Sequence, residues 1–285
     1  MRWTPGGVSG DIEDRRSEGG GPIRGSHLGL GGTILLLLLS LIFKRDLVSL
    51  FSGATDVGPA ANQASRSVEG PAEANMVQFV SFVLDDNQKT WESLLPQQGG
   101  MPYRHAKLVL FRDATESSCG LAQSATGPFY CPADEKVYID LGFYDELRRR
   151  FGAPGDFAQA YVIAHELGHH VQHLRGIDAR VREVQESRPD AANQLSVRLE
   201  LQADCLAGIW GHSTAQRNIL EQGDAEEALN AAAAIGDDRI QNQSGRGVQP
   251  DSFTHGSSAE RVEWFRRGLE SGDLNRCDTF GRGSN

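Results

Sequence analysis

One five-residue segment, His165-Glu166-Leu167-Gly168-His169, limits what this chain can fold into more than any other. Its two histidines are four positions apart, so on a helix both imidazoles project from one face, about 6 Å apart, and can bind one Zn²⁺. The glutamate beside the first histidine can accept a proton from a zinc-activated water, as in zinc hydrolases and above all zinc peptidases. The alternative is a histidine pair without a metal, which would be costly to bury and would leave the glutamate without a role.

The sequence around this segment predicts the helix that it needs. Gly155-Asp156 offers an N-cap, and Gly176 supplies a stop. Between them apolar residues recur at helical spacing: Phe157, Tyr161, Val162, Ala164, Leu167, Gly168 and Val171. We therefore expect one helix that presents both histidines on the same face.

Two histidines do not complete a catalytic zinc site, which usually has three protein ligands. His173 lies about 12 Å along the helix axis from His165, and His170 faces away, so neither can be the third ligand. The longer metzincin pattern needs glycine at position 172 and histidine at position 175, where this chain has Gln172 and Arg175. The third ligand must therefore come from another element.

A second predicted helix, residues 198–210, supplies a candidate third ligand. Glu200 and Asp204 share a face at i and i+4, so Glu200 can complete a two-histidine, one-glutamate site while Asp204 accepts the free ring N–H of a ligating histidine. A glutamate and an aspartate at this spacing are also common on solvated helix faces. Glu183 and Glu186 in the intervening polar stretch remain alternative ligands.

The order of these motifs, His-Glu-x-x-His and then Glu-x-x-Ala-Asp, resembles the gluzincin peptidases. The chain as a whole resembles the bacterial neutral zinc metallopeptidase family in its apolar anchor and in the following segments: Met1–Trp3, Asp11–Arg16, Cys119-Gly120, Gly127–Pro132, His165–Gln172, Glu200–Trp210, Phe253–Ser258 and Trp264-Phe265. The resemblance implies a helix-rich α+β fold of the zincin or gluzincin type with a small sheet, a Zn²⁺ cofactor, and a peptide or protein substrate.

In the mechanism that the resemblance implies, Glu166 is the general base, and the tetrahedral oxyanion needs a hydrogen-bond donor besides zinc. His255 is the best candidate by residue type, with Tyr130, Tyr138 and Tyr103 as alternatives. The competing interpretation of His255 is a structural histidine in a loop or cap.

Composition bounds the partners of the chain. A net charge of −10 and a pI near 5.3 give no reason to expect binding to nucleic acid.

The uncharged run 25–43 has 19 residues, which as a helix would measure about 28 Å, close to the thickness of a thin bilayer. We predict one transmembrane anchor there, between a polar tail at 1–24 and a flexible linker at 44–74. A cleaved signal peptide and a buried helix are the alternatives, but no small-x-small cleavage site follows the run.

The side of the membrane depends on the cysteines, because the cations that flank the apolar run are nearly balanced. All four cysteines follow the run, and an even number suits two disulfides in an oxidising compartment. Cys119 and Cys131 bracket a Gly-Pro turn and can close a short loop, which leaves Cys205 to pair with Cys277. We therefore expect a single-pass membrane protein with an extracytoplasmic catalytic domain; four reduced thiols are the alternative.

The remaining pattern predicts the elements of a metallopeptidase domain over residues 75–285. We expect a helix at 75–95, strands at 106–112 and 137–141, and helices at 225–235 and 258–269. By analogy with gluzincins, the second strand is the candidate for the sheet edge that pairs with an extended substrate, although an ordinary core strand fits nearly as well.

Two other functions fit the same residues. A non-catalytic module could keep zinc only for stability and bind an envelope partner, but it would have little use for Glu166. A zinc hydrolase of non-peptide amides would use the same activated water as a peptidase. No pattern in the sequence specifies an oligomeric state.

Overall fold

A computed structural model describes residues 1–18, 70–123, 127–149, 152–153, 155–243, 245 and 247–281. Within these, residues 1–18 and the residues from 72 onwards belong to one compact unit. The predicted anchor at 25–43 and most of the predicted linker lie outside the described residues. Among the helices that are described, none has both the length and the apolar character that a bilayer crossing requires.

The described unit is a helix-rich α+β fold. Its helices are α1 Pro71–Leu94, α2 Gly142–Arg149, α3 Asp156–Leu174, α4 Ile177–Ser187, α5 Ala192–Gln216, α6 Asp224–Ala234, α7 Asp237–Gln243 and α8 Ser258–Ser271. Its strands are β1 Ile12–Asp14, β2 Lys107–Phe111, β3 Ala114–Ser117, β4 Gly120–Gln123, β5 Phe129–Cys131 and β6 Lys136–Asp140. The five helices and strands predicted beyond the metal site are all present, within a few residues of their predicted ends.

The main sheet has the strand order β1-β2-β6-β5, and β3 and β4 form a separate hairpin. Strand β6 pairs parallel with β2 on one side and antiparallel with β5 on the other. The prediction that the strand at 137–141 is a substrate-binding edge is therefore wrong. The edges of this sheet are β1 and β5, each with three residues, which are too few for a periodic pattern to reveal from sequence.

The first 18 residues are part of the domain, which corrects the prediction of a polar tail at 1–24 and a domain that starts at 75. Strand β1 pairs parallel with β2, with Ile12 opposite Leu108. The charges that suggested a solvated tail are neutralised by the fold, because the carboxylate of Glu13 accepts hydrogen bonds from the Lys136 ammonium at 2.7 and 2.9 Å. The amino group of Met1 likewise lies 2.8 Å from Asp156 at the start of α3.

Glycines let the three central helices pack closely. A Cβ on Gly168 of α3 would stand 3.0 Å from the backbone oxygen of Ala203 in α5. A Cβ on Gly208 of α5 would stand 2.1 Å from the carbonyl oxygen of Phe265 in α8. Helix α5 can therefore approach α3 and α8 only because these positions carry no side chain, and the approach brings residues of all three helices into one site.

Both predicted disulfides are present. Cys119 joins Cys131, which ties the β3–β4 hairpin to edge strand β5. Cys205 joins Cys277, which ties the C-terminal segment to α5.

Candidate metal centre

Three side chains from two helices converge at the bottom of a cleft of about 580 Å³. His165 and His169 come from α3, and Glu200 comes from α5, as the sequence predicts. The Nε2 atom of His165 lies 3.1 Å from one carboxylate oxygen of Glu200, and the Nε2 atom of His169 lies 3.4 Å from the other. The alternative ligands Glu183 and Glu186 are exposed on α4 and do not belong to this group.

The spacing of the three donors suits a small tetrahedral cation. Bonds of about 2.0–2.1 Å at tetrahedral angles place neighbouring ligand atoms roughly 3.4 Å apart. The two measured histidine–glutamate separations are close to this value. Two imidazoles and one carboxylate, with a fourth position open to the cleft, are the donor set of a catalytic zinc site. The chemistry of these side chains therefore fits Zn²⁺.

The second nitrogen of each histidine is held by a buried acceptor. The Nδ1–H of His165 donates to Asp204 at 2.8 Å, and the Nδ1–H of His169 donates to the amide oxygen of Gln172 at 2.8 Å. These bonds leave each Nε2 directed at Glu200, the tautomer that metal binding requires. Asp204 therefore makes the hydrogen bond with His165 that its position predicts, whereas the contact of Gln172 with His169 was not predicted.

Asp204 is the centre of a buried polar network. Its carboxylate is fully buried and accepts hydrogen bonds from Arg261 of α8 at 2.8 and 3.0 Å. The hydroxyl of Tyr161 on α3 donates to the same carboxylate. Burial would raise the pKa of Asp204, but the Arg261 cation and His165 hold it below the ordinary value. Asp204 therefore stays ionised and accepts a charge-assisted hydrogen bond from the Nδ1–H of His165.

The support of His169 extends further into the protein. The amide nitrogen of Gln172 donates to the Leu199 carbonyl at 2.7 Å and to the amide oxygen of Gln202 at 3.1 Å. Gln202 in turn donates to the Cys277 carbonyl at 2.9 Å. The orientation of His169 is thus fixed by a chain of hydrogen bonds that ends beside the second disulfide.

The electrostatics of the three donors match a cation site. Burial alone would lower the pKa of His165, but Asp204 and then Glu200 raise it to about 10. Burial would raise the pKa of Glu200, but His169 and His165 hold it well below its usual range. In the metal-free chain these groups form a buried imidazolium–carboxylate cluster, and a metal ion would replace the imidazole proton.

Glu166 lies in the same cleft but does not belong to the three-donor group. It is buried, and burial raises the pKa of its carboxyl above the ordinary value, although His165 and His169 counteract the shift. A carboxylate with a raised pKa is a stronger base at neutral pH. Its position and basicity suit proton transfer at the cleft and not metal binding.

Among the four predicted oxyanion donors, only His255 lines the cleft with a free donor. Its Nδ1 faces Asp237 at 3.2 Å, and within the described part of the chain its Nε2 makes no hydrogen bond. The hydrogen bond with Asp237 raises the pKa of His255, burial opposes this shift, and Glu200 adds to it. Asp237 therefore holds the His255 side chain at the exposed mouth of the cleft, and the pKa of this ring lies above its ordinary value.

The three tyrosines are engaged elsewhere. Tyr138 donates to Asp134 at 2.8 Å, and the Tyr103 hydroxyl contacts Gln88; neither tyrosine lines the cleft. Tyr130 does line the cleft, but its hydroxyl lies 2.9 Å from the Nδ1 of His170.

His170 decides the role of Tyr130. The Nε2–H of His170 donates to the Arg104 carbonyl at 2.7 Å, so its Nδ1 is an acceptor and Tyr130 is the donor. Burial lowers the pKa of His170 to about 4, which keeps the ring neutral. The Tyr130 hydroxyl therefore donates to His170, and this hydrogen bond attaches β5 to helix α3.

Arg261, Tyr161 and Gln172 belong to the site although sequence reasoning did not assign them to it. In the sequence, Tyr161 is one of the apolar residues of the predicted helix, and Gln172 is a mismatch to the metzincin pattern and the last residue of a segment that resembles the family. A signal existed for Arg261, because it shares the buried stripe of α8 with Trp264 and Phe265. A cation within an apolar stripe indicates a buried carboxylate partner.

The fold and the donor set define a helix-rich α+β protein with a candidate catalytic metal centre. Over residues 1–280 the chain matches the family model described as "Putative neutral zinc metallopeptidase". The chain therefore belongs to this family.

Two relatives illustrate the reach of the similarity. The "Uncharacterized protein YpfJ" of Escherichia coli strain K12 is 50% identical over 290 residues, which cover 99% of each chain. The "Uncharacterized protein Rv2575" of Mycobacterium tuberculosis strain H37Rv is 44% identical over 201 residues, 67% of this chain and 66% of the relative. No solved structure matches the chain.

Proposed function

We propose that this protein is a zinc-dependent endopeptidase of the gluzincin type. The observation that carries the proposal is the separation of roles at the cleft, where three donors can hold one cation while the buried, basic Glu166 stands beside them without belonging to their group. A site built only to stabilise the fold has no need for such a carboxylate. The family to which the chain belongs supports the same chemistry.

His165, His169 and Glu200 would hold the metal. When bound, Zn²⁺ would supply a Lewis acid that polarises a substrate carbonyl and lowers the pKa of a water toward about 7. Asp204 and Gln172 would keep the two imidazoles in the required tautomer and orientation.

Glu166 would accept the proton of the attacking water and then pass it to the leaving amine. Negative charge develops on the former carbonyl oxygen in this reaction, and His255 is the donor that can stabilise it. Asp237 holds its Nδ1 side, and no described residue bonds to its Nε2. Glu166 would therefore move the proton, and His255 would stabilise the developing charge.

The substrate would bind as an extended strand along β5. This strand is an edge of the main sheet, and its residues Phe129 and Tyr130 line the same cleft as His169. An exposed strand edge offers backbone N–H and C=O groups to a peptide. The Cys119–Cys131 disulfide and the Tyr130–His170 hydrogen bond would hold strand β5 at a constant distance from helix α3.

We also propose that the domain lies outside the cytoplasm and contacts the membrane through the apolar run 25–43. Two disulfides support an oxidising compartment. The pairing of β1 with β2 adds a condition, because residues 1–18 must then lie on the same side of the membrane as the rest of the domain. A single crossing by the run would separate these two strands.

The test compares wild type with Glu166→Gln, both prepared as the full chain in detergent, because a fragment that starts at residue 75 would lack β1. We expect both proteins to bind about one equivalent of zinc and to melt at similar temperatures, since the substitution nearly preserves volume. Digestion of an unstructured protein and of a peptide library should fall by about 10²- to 10⁴-fold in the variant, because an amide cannot accept the proton.

Glu200→Ala is the matched variant for the metal site and should lose zinc as well as activity. Equal, chelator-insensitive cleavage by wild type and Glu166→Gln would refute the peptidase and favour a zinc-stabilised binding module. Chelator-sensitive hydrolysis of small amides without any cleavage of peptides would instead favour a hydrolase of non-peptide amides.

A further inference from the structure

A second cavity has a volume of about 460 Å³, and among the described residues it shares no lining residue with the metal cleft. Helix α4 separates the two. Asp178 and Arg182 on one face of α4 line the cleft, whereas Ile177, Val181 and Val184 on another face line the cavity. The opposite wall comes from α5 and from the C-terminal segment that the Cys205–Cys277 disulfide holds in place. The volume is in the range of small-molecule sites.

Two arginines give this cavity an unbalanced positive charge. Within the residues that the structure describes, the guanidinium of Arg175 makes no ion pair and no hydrogen bond. Arg180 donates only to the backbone carbonyl of Arg175, at 3.4 Å. Among the described residues of the lining, Asp278 is the one carboxylate, and it accepts hydrogen bonds from the backbone N–H groups of Phe280 and Gly281. The described lining therefore carries a net charge of about +1 at neutral pH.

Arg175 is placed where a missing counter-ion matters. It follows the last turn of α3 and is half-buried, and burial lowers the pKa of its guanidinium while Asp278 only partly compensates. A partly desolvated cation without a hydrogen-bonded carboxylate is unfavourable, and binding of an anion would remove that cost. One surplus charge matches a monoanion such as a carboxylate better than a doubly charged phosphate.

The rest of the cavity suits an aliphatic body. Ile177, Val181 and Leu274 are buried, and Leu195 and Phe280 are half-buried. The polar side chains of the wall are occupied, since the amide of Gln202 bonds with Gln172 and the Cys277 carbonyl, and the amide of Asn275 bonds with Asp273. Few groups remain to pair with the backbone of a bound peptide, which favours a ligand without amides.

We propose that this cavity is a binding site for a medium-chain aliphatic carboxylate, with the carboxylate on Arg175 and Arg180 and the chain between α4 and Leu274. The site is distinct from the metal cleft and does not depend on the proposed peptidase activity. Arg175 supplies the charge-assisted hydrogen bond, and the apolar wall supplies the hydrophobic contact.

The test is calorimetric titration of octanoate into the full, zinc-loaded chain in a fixed non-ionic detergent. We expect one saturable site in wild type and binding weakened by about tenfold or more in Arg175→Gln, the usual loss for a hydrogen bond to a charged group. Octanol, which has the same chain length without the charge, should bind about tenfold more weakly than octanoate. Arg188→Gln removes an exposed arginine just beyond α4 and should bind as wild type does.

Two further variants keep the test decisive if Arg175→Gln melts early. Arg175→Lys retains the charge and should keep most of the affinity, whereas Val184→Trp introduces a large ring at the partly exposed end of the cavity and should abolish binding. Equal octanoate affinity in wild type and the Gln or Trp variant would overturn the proposal. So would equal binding of octanol, or tighter binding of a short peptide with a C-terminal leucine than of octanoate.

Discussion

The strongest test of the metal centre is the replacement of Asp204 by asparagine. The carboxylate of Asp204 is fully buried and accepts from His165 Nδ1 at 2.8 Å and from Arg261 at 2.8 and 3.0 Å. Asparagine removes the charge and directs an N–H₂ group at these donors. Breaking a buried ion pair by removing one partner costs about 3–5 kcal/mol, because the remaining charge stays buried. We expect a loss of that size in the free energy of unfolding of the metal-free chain.

Zinc affinity should fall for a different reason. Without the carboxylate, the His165 ring loses its fixed tautomer and orientation, and substitutions of such supporting groups typically cost about 10- to 100-fold in metal affinity. Chelator competition on the full chain measures this quantity, and urea unfolding with the disulfides intact measures stability. The two effects are separable, because Arg261 dominates the stability loss and His165 dominates the affinity loss.

The double variant Asp204→Asn/Arg261→Met separates them. Methionine at position 261 removes the guanidinium that Asp204→Asn leaves buried without a carboxylate partner, and it fills much of the same volume. Most of the lost free energy of unfolding should therefore return, while zinc affinity stays low. If the double variant is no more stable than Asp204→Asn, the stranded-charge explanation fails. If Asp204→Asn binds zinc as wild type does, Asp204 does not orient His165.

Three other predictions follow from the packing and the charges. The pKa of His165 is raised to about 10 from about 6.5, so its contribution to the stability of the metal-free chain is complete below pH 6.5 and disappears as the pH rises toward 10. Urea unfolding of the metal-free chain should show this decline. Zinc-loaded protein should not show it, because the metal replaces that proton. Gly208→Ala should lower the free energy of unfolding by about 1–3 kcal/mol, because its Cβ would meet the Phe265 carbonyl oxygen at 2.1 Å, whereas Gly10→Ala, with no atom within 4 Å, should have almost no effect. Thiol labelling of intact cells should reach Val8→Cys and Val248→Cys, both at exposed positions, from the same side of the membrane; labelling of only one of them would contradict the pairing of β1 with β2.

Local spacing, together with the resemblance to gluzincins, was enough to predict the three donors of the candidate metal centre. His165 with His169, and Glu200 with Asp204, are one helical turn apart, so a correct helix assignment already places each pair on one face. The same holds for the two longest strands and for α1, α6 and α8, whose periodic patterns extend over several residues. The disulfide pairing could be predicted because the short separation of Cys119 and Cys131 leaves one partner for Cys205.

The elements that sequence reasoning missed depend on contacts between distant segments. Strand β1 has three residues with two charges, and it forms a strand because β2 lies open beside it and Lys136 is there to neutralise Glu13. Strand β5 is an edge of the main sheet, and β6 is not, because β6 is already paired on both sides. Neighbouring strands determine which segment pairs and which strand lies at the edge, and no pattern within the strand itself predicts this.

By itself, the sequence was enough to predict the three donors of the candidate metal centre, the neighbouring Glu166 and the disulfides, because each depends mainly on residue type and on spacing along one helix or one loop. Only the tertiary structure decided what surrounds them. Arg261 lies 57 positions from Asp204 along the chain, and it reaches that carboxylate because Gly208 and Gly268 allow α5 and α8 to cross at backbone contact. The chemistry of the centre is local in sequence, but the charge balance that keeps it ionised and rigid arises from packing between helices.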